Sequence, residues 1–364
     1  MEPLTIVLFV VGIGLLLVGA DILVKGAVDL AVSVGISPLV VGLTVVAFGT
    51  SAPEAAVSVQ STMTGGGDIA LGNVVGSNIL NILLILGLSA LVAPLIVSRQ
   101  LLRFDLPVMI GVSFLPLFFG LNGTIGRGEG LVLFVGIAAY TGFLVRKSRR
   151  ERIEGLARIA TEEVPEAPRR GMLANVGLVL LGMGMLVLGS RWLVAGAVEM
   201  ATLLGVNELV IGLTVVAAGT SLPEVATSVL ASLKGERDIA VGNVVGSNIF
   251  NILLVMGLAG MAGRDGIPVI PAALTFDLPV MIAVAMACFP IFFTGYIISR
   301  WEGALFVGYY VAYTSFLVLD ASGHDALPIF TEAMVFFVLP LTAISLVMLA
   351  WNELRQDRGS QVPG

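Results

Sequence analysis

Glu54 and Glu224 are carboxylates set inside apolar runs, each at the end of a small cluster of oxygen-bearing residues, GTSAPE at 49–54 and GTSLPE at 219–224. Thr50 and Glu54 are four residues apart and so share a helix face, as do Thr220 and Glu224, with Ser51 and Ser221 beside them. Within a helix, Pro53 deprives the Gly49 carbonyl of its amide donor, and its ring pushes that turn apart. In lipid, a freed carbonyl must find protein, water or an ion. A second block follows in both places, GNVVGSNILNILL at 72–84 and GNVVGSNIFNILL at 242–254. There Asn73, Ser77 and Asn81 recur every four residues as a polar stripe, repeated as Asn243, Ser247 and Asn251. Gly72 and Gly76 make a parallel ridge that lets another helix approach closely.

What neutralises the glutamates decides the chemistry. The chain has no Lys or Arg between Lys25 and Arg99, and Lys234 and Arg237 fall in a connection rather than beside Glu224. An unpaired carboxylate at the bilayer centre costs about 2.5 kcal/mol or more, so the missing partner is a proton or a metal ion. The candidate ligands are all oxygens, which suit hard ions such as Ca²⁺ and Na⁺ rather than zinc or copper. Together they could supply the roughly six to eight oxygens that Ca²⁺ takes, or be divided among smaller Na⁺ sites.

The two clusters belong to an internal repeat. Residues 39–88 align with 209–258 at a constant offset of 170, and 34 of the 50 positions are identical. The correspondence extends outward: Gly19 and Gly26 match Gly189 and Gly196, FDLPVMI at 104–110 returns at 276–282, and Arg127, Glu129 and Tyr140 return as Arg300, Glu302 and Tyr313. With 57% apolar residues, 12% charged residues and a mean hydropathy of +1.03, the chain is a polytopic membrane protein. Spans are expected near 4–31, 38–63, 69–92, 104–122 and 128–146, again near 172–200, 208–233, 239–262, 274–296 and 301–319, with an eleventh near 329–351. Units with an odd number of spans must thread the membrane in opposite directions, so the fold class is all-α with two inverted five-helix repeats, ten helices in all, plus a C-terminal helix.

These spans divide the chain into a first unit, 1–146; a basic linker, 147–171; a second unit, 172–320; and a remainder, 321–364, holding the external connection, the extra helix and a tail. Residues 146–170 carry eight Lys or Arg against five Glu, which marks the cytoplasmic side. The N-terminus then lies outside, and of the 19 basic residues only Arg127, Arg191 and Arg264 fall elsewhere than in cytoplasmic segments. The tail, with Arg355 and Arg358, falls inside if the eleventh helix spans. The N-terminal segment lacks the basic region of a cleavable signal peptide and is expected to be retained. One cysteine, Cys288, and one histidine, His324, exclude an intramolecular disulfide and a histidine-built zinc site.

The paired blocks GTSAPE with GNVVGSNILN and GTSLPE with GNVVGSNIFN resemble the two alpha-repeats of the calcium/cation antiporter superfamily, above all the prokaryotic sodium/calcium exchangers. The resemblance covers about 320 of the 364 residues. It implies ten helices in two inverted units, ion sites at the midplane between the central helix pairs, and first and sixth helices that slide to alternate access. It implies a location in the prokaryotic cytoplasmic membrane. Carried over by motif, the side-chain ligands are Thr50, Ser51, Glu54, Ser77 and Asn81 with Thr220, Ser221, Glu224, Ser247 and Asn251, completed by the carbonyls of Ala47 and Ala217. Asn at both 81 and 251 resembles the potassium-independent type. The family's ratio of three Na⁺ to one Ca²⁺, set against two carboxylates, implies electrogenic exchange. No cofactor is implied; the partners are inorganic cations and membrane lipid, with no nucleic acid and no obligatory protein.

Several alternatives stand beside this reading. Membrane-buried glutamates can also take protons, which keeps H⁺/Ca²⁺ exchange open, although a proton needs none of the surrounding neutral oxygens. A channel would call for a symmetric ring or filter, and an intramembrane hydrolase for a base beside Ser51 or Ser77 or for histidine ligands. The chain is therefore read as a non-enzyme. Asn73 and Asn243 are expected to bond across helices, Asp68 and Asp238 to cap helix N-termini, and Glu129 and Glu302 to anchor helices at the interface. Asp105 and Asp277, near helix starts at opposite membrane faces, read as caps or entrance charges.

Overall fold

The computed structural model describes residues 3–158, 171–204 and 217–344. Its long apolar segments are helices because a backbone in lipid must satisfy its own hydrogen bonds. In chain order they are α1 (Pro3–Val34), α2 (Pro38–Thr50), α3 (Ala52–Met63), α4 (Gly67–Val92), α5 (Leu101–Gly120), α6 (Arg127–Arg158), α7 (Met172–Leu203), α8 (Leu222–Leu233), α9 (Arg237–Ala262), α10 (Ala273–Phe293), α11 (Arg300–Ala321) and α12 (Leu327–Ile344). Nine described helices are long and apolar enough to cross a bilayer, and a tenth span is formed by α2 and α3 with a 44° bend between them. The start of the span expected at 208–233 lies outside the described residues, as do residues 159–170 of the linker and the end of the C-terminal helix.

α4 and α9 are largely buried and form the centre, whereas α1, α6 and α7 turn most of their surface outward and α12 turns out nearly all of it. α1 and α7 pack antiparallel through glycines: Gly12 faces Gly189 and Gly19 faces Gly182. A Cβ placed on Gly189 would lie 2.7 Å from the Gly12 carbonyl oxygen, so only glycine permits this approach. That antiparallel packing is the geometry an inverted repeat demands of this pair.

Two short antiparallel ribbons tie the halves together. Leu95–Ile96 (β1) pairs with Ile297–Ile298 (β4), and Thr124–Ile125 (β2) pairs with Ile267–Pro268 (β3). α5 runs from β1 to β2, which places the two ribbons at opposite ends of the helices. The tight turns before α4 and α9 are made by Gly65 and Gly235, at φ +89° and +81°, where a side chain would be strained.

The expected capping by Asp68 and Asp238 is not found. The residues before α4 and α9 are Gly66 and Glu236, neither capping through its side chain, and the two aspartates sit in the first helical turn instead. Asp105 and Asp277 make no cap hydrogen bond either. Glu302 closes a capping box with Ser299, and Glu129 Oε2 accepts the Gly126 amide at 3.1 Å; their job is to cap as well as to anchor.

Candidate ion-binding site

The site forms where two helix breaks meet between α4 and α9. The first break is at Ser51, whose backbone (φ −80°, ψ 3°) leaves the helical path between α2 and α3. Pro53 lies in the first turn of α3 rather than in mid-helix, where its missing amide is tolerated. The second break is at Ser221 (φ −90°, ψ 7°), between the short helical stretch Ala217–Gly219 and α8. Glycines set the depth of the first. Gly242 and Gly246 of α9 sit against α2, and a Cβ on Gly246 would come within 2.7 Å of the Leu43 carbonyl oxygen. Asn81 and Asn251 each begin a π-helical turn, Asn81–Leu86 and Asn251–Met256, a distortion often found at functional sites.

Each unit completes the other's cluster. Ser221 Oγ donates to Glu54 Oε1 at 3.0 Å, and Ser51 Oγ donates to Glu224 Oε1 at 3.3 Å. Thr50 Oγ1 donates to Asn243 Oδ1 at 3.1 Å, and Thr220 Oγ1 donates to Asn73 Oδ1 at 3.4 Å. Ser77 Oγ lies 3.1 Å from Ser221 Oγ. Thr50, Ser51, Glu54, Ser77, Asn81, Ser221, Glu224, Ser247 and Asn251 are all buried, and Thr220 is half-buried. The Ala47 carbonyl accepts the Ser51 amide at 3.0 Å, with the Thr50 hydroxyl 3.4 Å away; Ala217 opens its helical stretch at the matching position.

Several buried oxygens here have no hydrogen-bond partner. They are Glu54 Oε2, Glu224 Oε2, Asn81 Oδ1, Ser247 Oγ and Asn251 Oδ1, with Asn81 Nδ2 also unpaired. Outside the repeated motifs, Ser89 Oγ and Thr227 Oγ1 share this condition. Each such buried atom costs roughly 1–3 kcal/mol, so a cluster of them is stable only with something to satisfy it. Among the described residues no Lys, Arg or His pairs with either glutamate, and no group of three or more His, Cys, Asp and Glu is assembled for a metal. Two carboxylates among neutral oxygens therefore make a weak-field site, suited to a hard cation that enters and leaves.

Asn73 and Asn243 bond across helices as expected. Their amides donate to Ser58 Oγ and Ser228 Oγ, both at 2.9 Å, on α3 and α8. Three supporting contacts went unforeseen. Ser58 and Ser228 stand four residues after the glutamates, a spacing that was there to read. Asn78 Oδ1 accepts the Asn251 amide at 3.1 Å, which leaves the Asn251 oxygen free. Ser190 of α7 donates at 2.5 Å to the carbonyl of Gly219, the group that Pro223 deprives of its helical donor. A cavity of about 590 Å³ reaches this cluster, with Asn73, Ser77 and Thr220 in its wall.

Residues 4–146 and 174–319 match the model of the sodium/calcium exchanger protein family. The chain belongs to that family. Sodium/calcium exchanger MaX1 of Methanosarcina acetivorans is 33% identical over 345 residues, covering 86% of this chain and 98% of its own length. Inner membrane protein YrbG of Escherichia coli is 40% identical over 281 residues, covering 77% of this chain and 86% of the relative. Among solved structures, the sodium-calcium exchanger NCX_Mj superposes with a TM-score of 0.73 at 28% identity, covering 88% of this chain and 99% of that one. This exchanger-family chain is thus an integral membrane transporter rather than an enzyme, and it has the fold of NCX_Mj.

Proposed function

We propose that the chain exchanges Ca²⁺ for Na⁺ across the membrane by alternating access, with both ions bound between the two broken helices. The observation that carries this reading is the set of unpartnered buried oxygens on Glu54, Glu224, Asn81, Ser247 and Asn251. The side-chain ligands are those five with Thr50, Ser51, Ser77, Thr220 and Ser221, and the Ala47 and Ala217 carbonyls complete the set. Two carboxylates neutralise one Ca²⁺, while the neutral hydroxyl and amide oxygens serve Na⁺. Protons would use the glutamates and leave the neutral oxygens idle, which favours Na⁺ as the coupling ion.

The inverted units are 1–146 and 172–320, joined by the linker 147–171, with 321–364 appended. The basic linker lies in the cytoplasm and the N-terminus outside. On this threading the β2–β3 ribbon faces outward and the β1–β4 ribbon inward.

Proteoliposomes loaded with Na⁺ and diluted into Na⁺-free buffer are expected to take up Ca²⁺, and Glu54→Gln and Glu224→Gln are each expected to reduce the rate at least a hundredfold. Uptake driven by a proton gradient with Na⁺ omitted would replace this coupling with H⁺/Ca²⁺ exchange. Full activity in either variant would remove the glutamates from the site.

A further inference from the structure

The two units carry the same carboxylate and phenol, and the structure holds them in different states. Asp105 and Asp277 each end a π-helical turn, Leu101–Asp105 and Ala273–Asp277, near the starts of α5 and α10. Asp105 follows the β1 connection and Asp277 follows β3, so they lie toward opposite faces. Tyr140 on α6 and Tyr313 on α11 are the matching phenols. In the first unit Tyr140 donates to Asp105 Oδ1 at 3.1 Å, and Gln100 Nε2 reaches Oδ2 at 3.5 Å. The carboxylate is fully buried, and the tyrosine ring stacks on Phe104 with centroids 6.4 Å apart.

In the second unit Ala272 stands where Gln100 would be, and no described residue donates a hydrogen bond to Asp277. Asp277 and Tyr313 instead line the same cavity of about 590 Å³ as Asn73, Ser77 and Thr220 of the ion cluster. The aromatic frame is the same in both units: Phe104 meets Phe143 at 4.8 Å and Phe276 meets Phe316 at 4.6 Å. The frame is kept while the second tyrosine makes no hydrogen bond to its carboxylate.

Resting on the antiport reading, we propose that these two pairs are the gates of the ion path, Asp105 with Tyr140 closed at the β1–β4 face and Asp277 with Tyr313 open at the β2–β3 face. A bare carboxylate at the open mouth draws cations toward the site. The bonded pair is buried and leaves no space for an ion to pass. In the opposite-facing state the roles exchange: Tyr313 closes on Asp277, and Tyr140 leaves Asp105. Gln100 has no counterpart in the second gate, so the closure seen here is the stronger, and the resting protein favours opening at the β2–β3 face.

The test is thiol labelling of the full chain in detergent, where both faces meet the reagent, in a Cys288→Ala background with a cysteine placed at one of two equivalent positions. Thr314→Cys on the cavity wall is expected to react with a polar maleimide at least tenfold faster than Thr141→Cys. Tyr140→Phe, and separately Gln100→Ala, is expected to raise the Thr141→Cys rate about fivefold and to lower the Thr314→Cys rate, the size of one net hydrogen bond. Equal rates for the two cysteines in the parent, or a ratio that neither variant moves, would overturn the gates. A parent without sodium-driven Ca²⁺ uptake in vesicles would remove the antiport reading instead, since the labelling contrast needs no ion.

Discussion

Asn251 and Asn78 illustrate how much at this site depends on the direction of one amide. Asn78 Oδ1 accepts from Asn251 Nδ2 at 3.1 Å, so the Asn251 oxygen is the end left for a cation. Without Asn78 the amide turns freely, and ordering it becomes part of the cost of binding. Asn78→Ala is therefore expected to raise the KM for Ca²⁺ about three- to tenfold with a smaller loss of maximal rate, read from initial uptake rates; an unchanged KM would show that Asn251 is not a ligand. Asn251 itself was legible in the sequence because it completes the stripe of Asn243 and Ser247 at four-residue intervals. Asn78 was not, because one residue beyond Ser77 turns about 100° around the helix and leaves the stripe. The same limit applies to Asp68 and Asp238, whose helices begin one residue before them, so that a residue type fitted for capping stands in the first turn instead.

At the scale of elements, the α1–α7 contact depends on glycine at the crossing points. Gly19 and Gly26 could be matched to Gly189 and Gly196 from the sequence, but their partners could not, since which helices meet is settled by tertiary packing. The structure pairs the matched helices with each other, and Gly12 with Gly189 makes one of the closest backbone approaches. Gly189→Val forces the helices apart and is expected to cost about 1–3 kcal/mol, seen as a lowered thermal midpoint of the detergent-solubilised protein. Gly184, which has open space around it, is the control: Gly184→Ala is expected to leave the midpoint unchanged or slightly raised. Equal losses at both positions would mean that close approach at Gly189 is not what the contact depends on. The break at Ser51 was foreseeable from Gly49 and Pro53, because a missing amide is a local fact. The π-helical turns at Asn81 and Asn251 were not, because they arise from how the buried helices fit their neighbours.

For the whole molecule, the decisive quantity is the charge carried in one cycle. The site holds two carboxylates and no basic partner among the described residues, so one bound Ca²⁺ leaves it neutral and three Na⁺ leave it with one excess positive charge. If three Na⁺ leave vesicles loaded with Na⁺ for each Ca²⁺ taken up, one net positive charge moves outward per cycle. An inside-positive potential should drive uptake and an inside-negative one should oppose it. One charge across 100 mV is worth about 2.3 kcal/mol, which changes the equilibrium Ca²⁺ ratio about 50-fold. Clamping the potential with a potassium ionophore at several potassium ratios, at fixed Na⁺ gradient, measures that slope directly. A slope of zero would mean two Na⁺ per Ca²⁺ and a site neutral in both halves of the cycle. A slope of opposite sign would mean that fewer positive charges leave with the coupling ion than enter with Ca²⁺, which two carboxylates filled to neutrality by either ion do not produce.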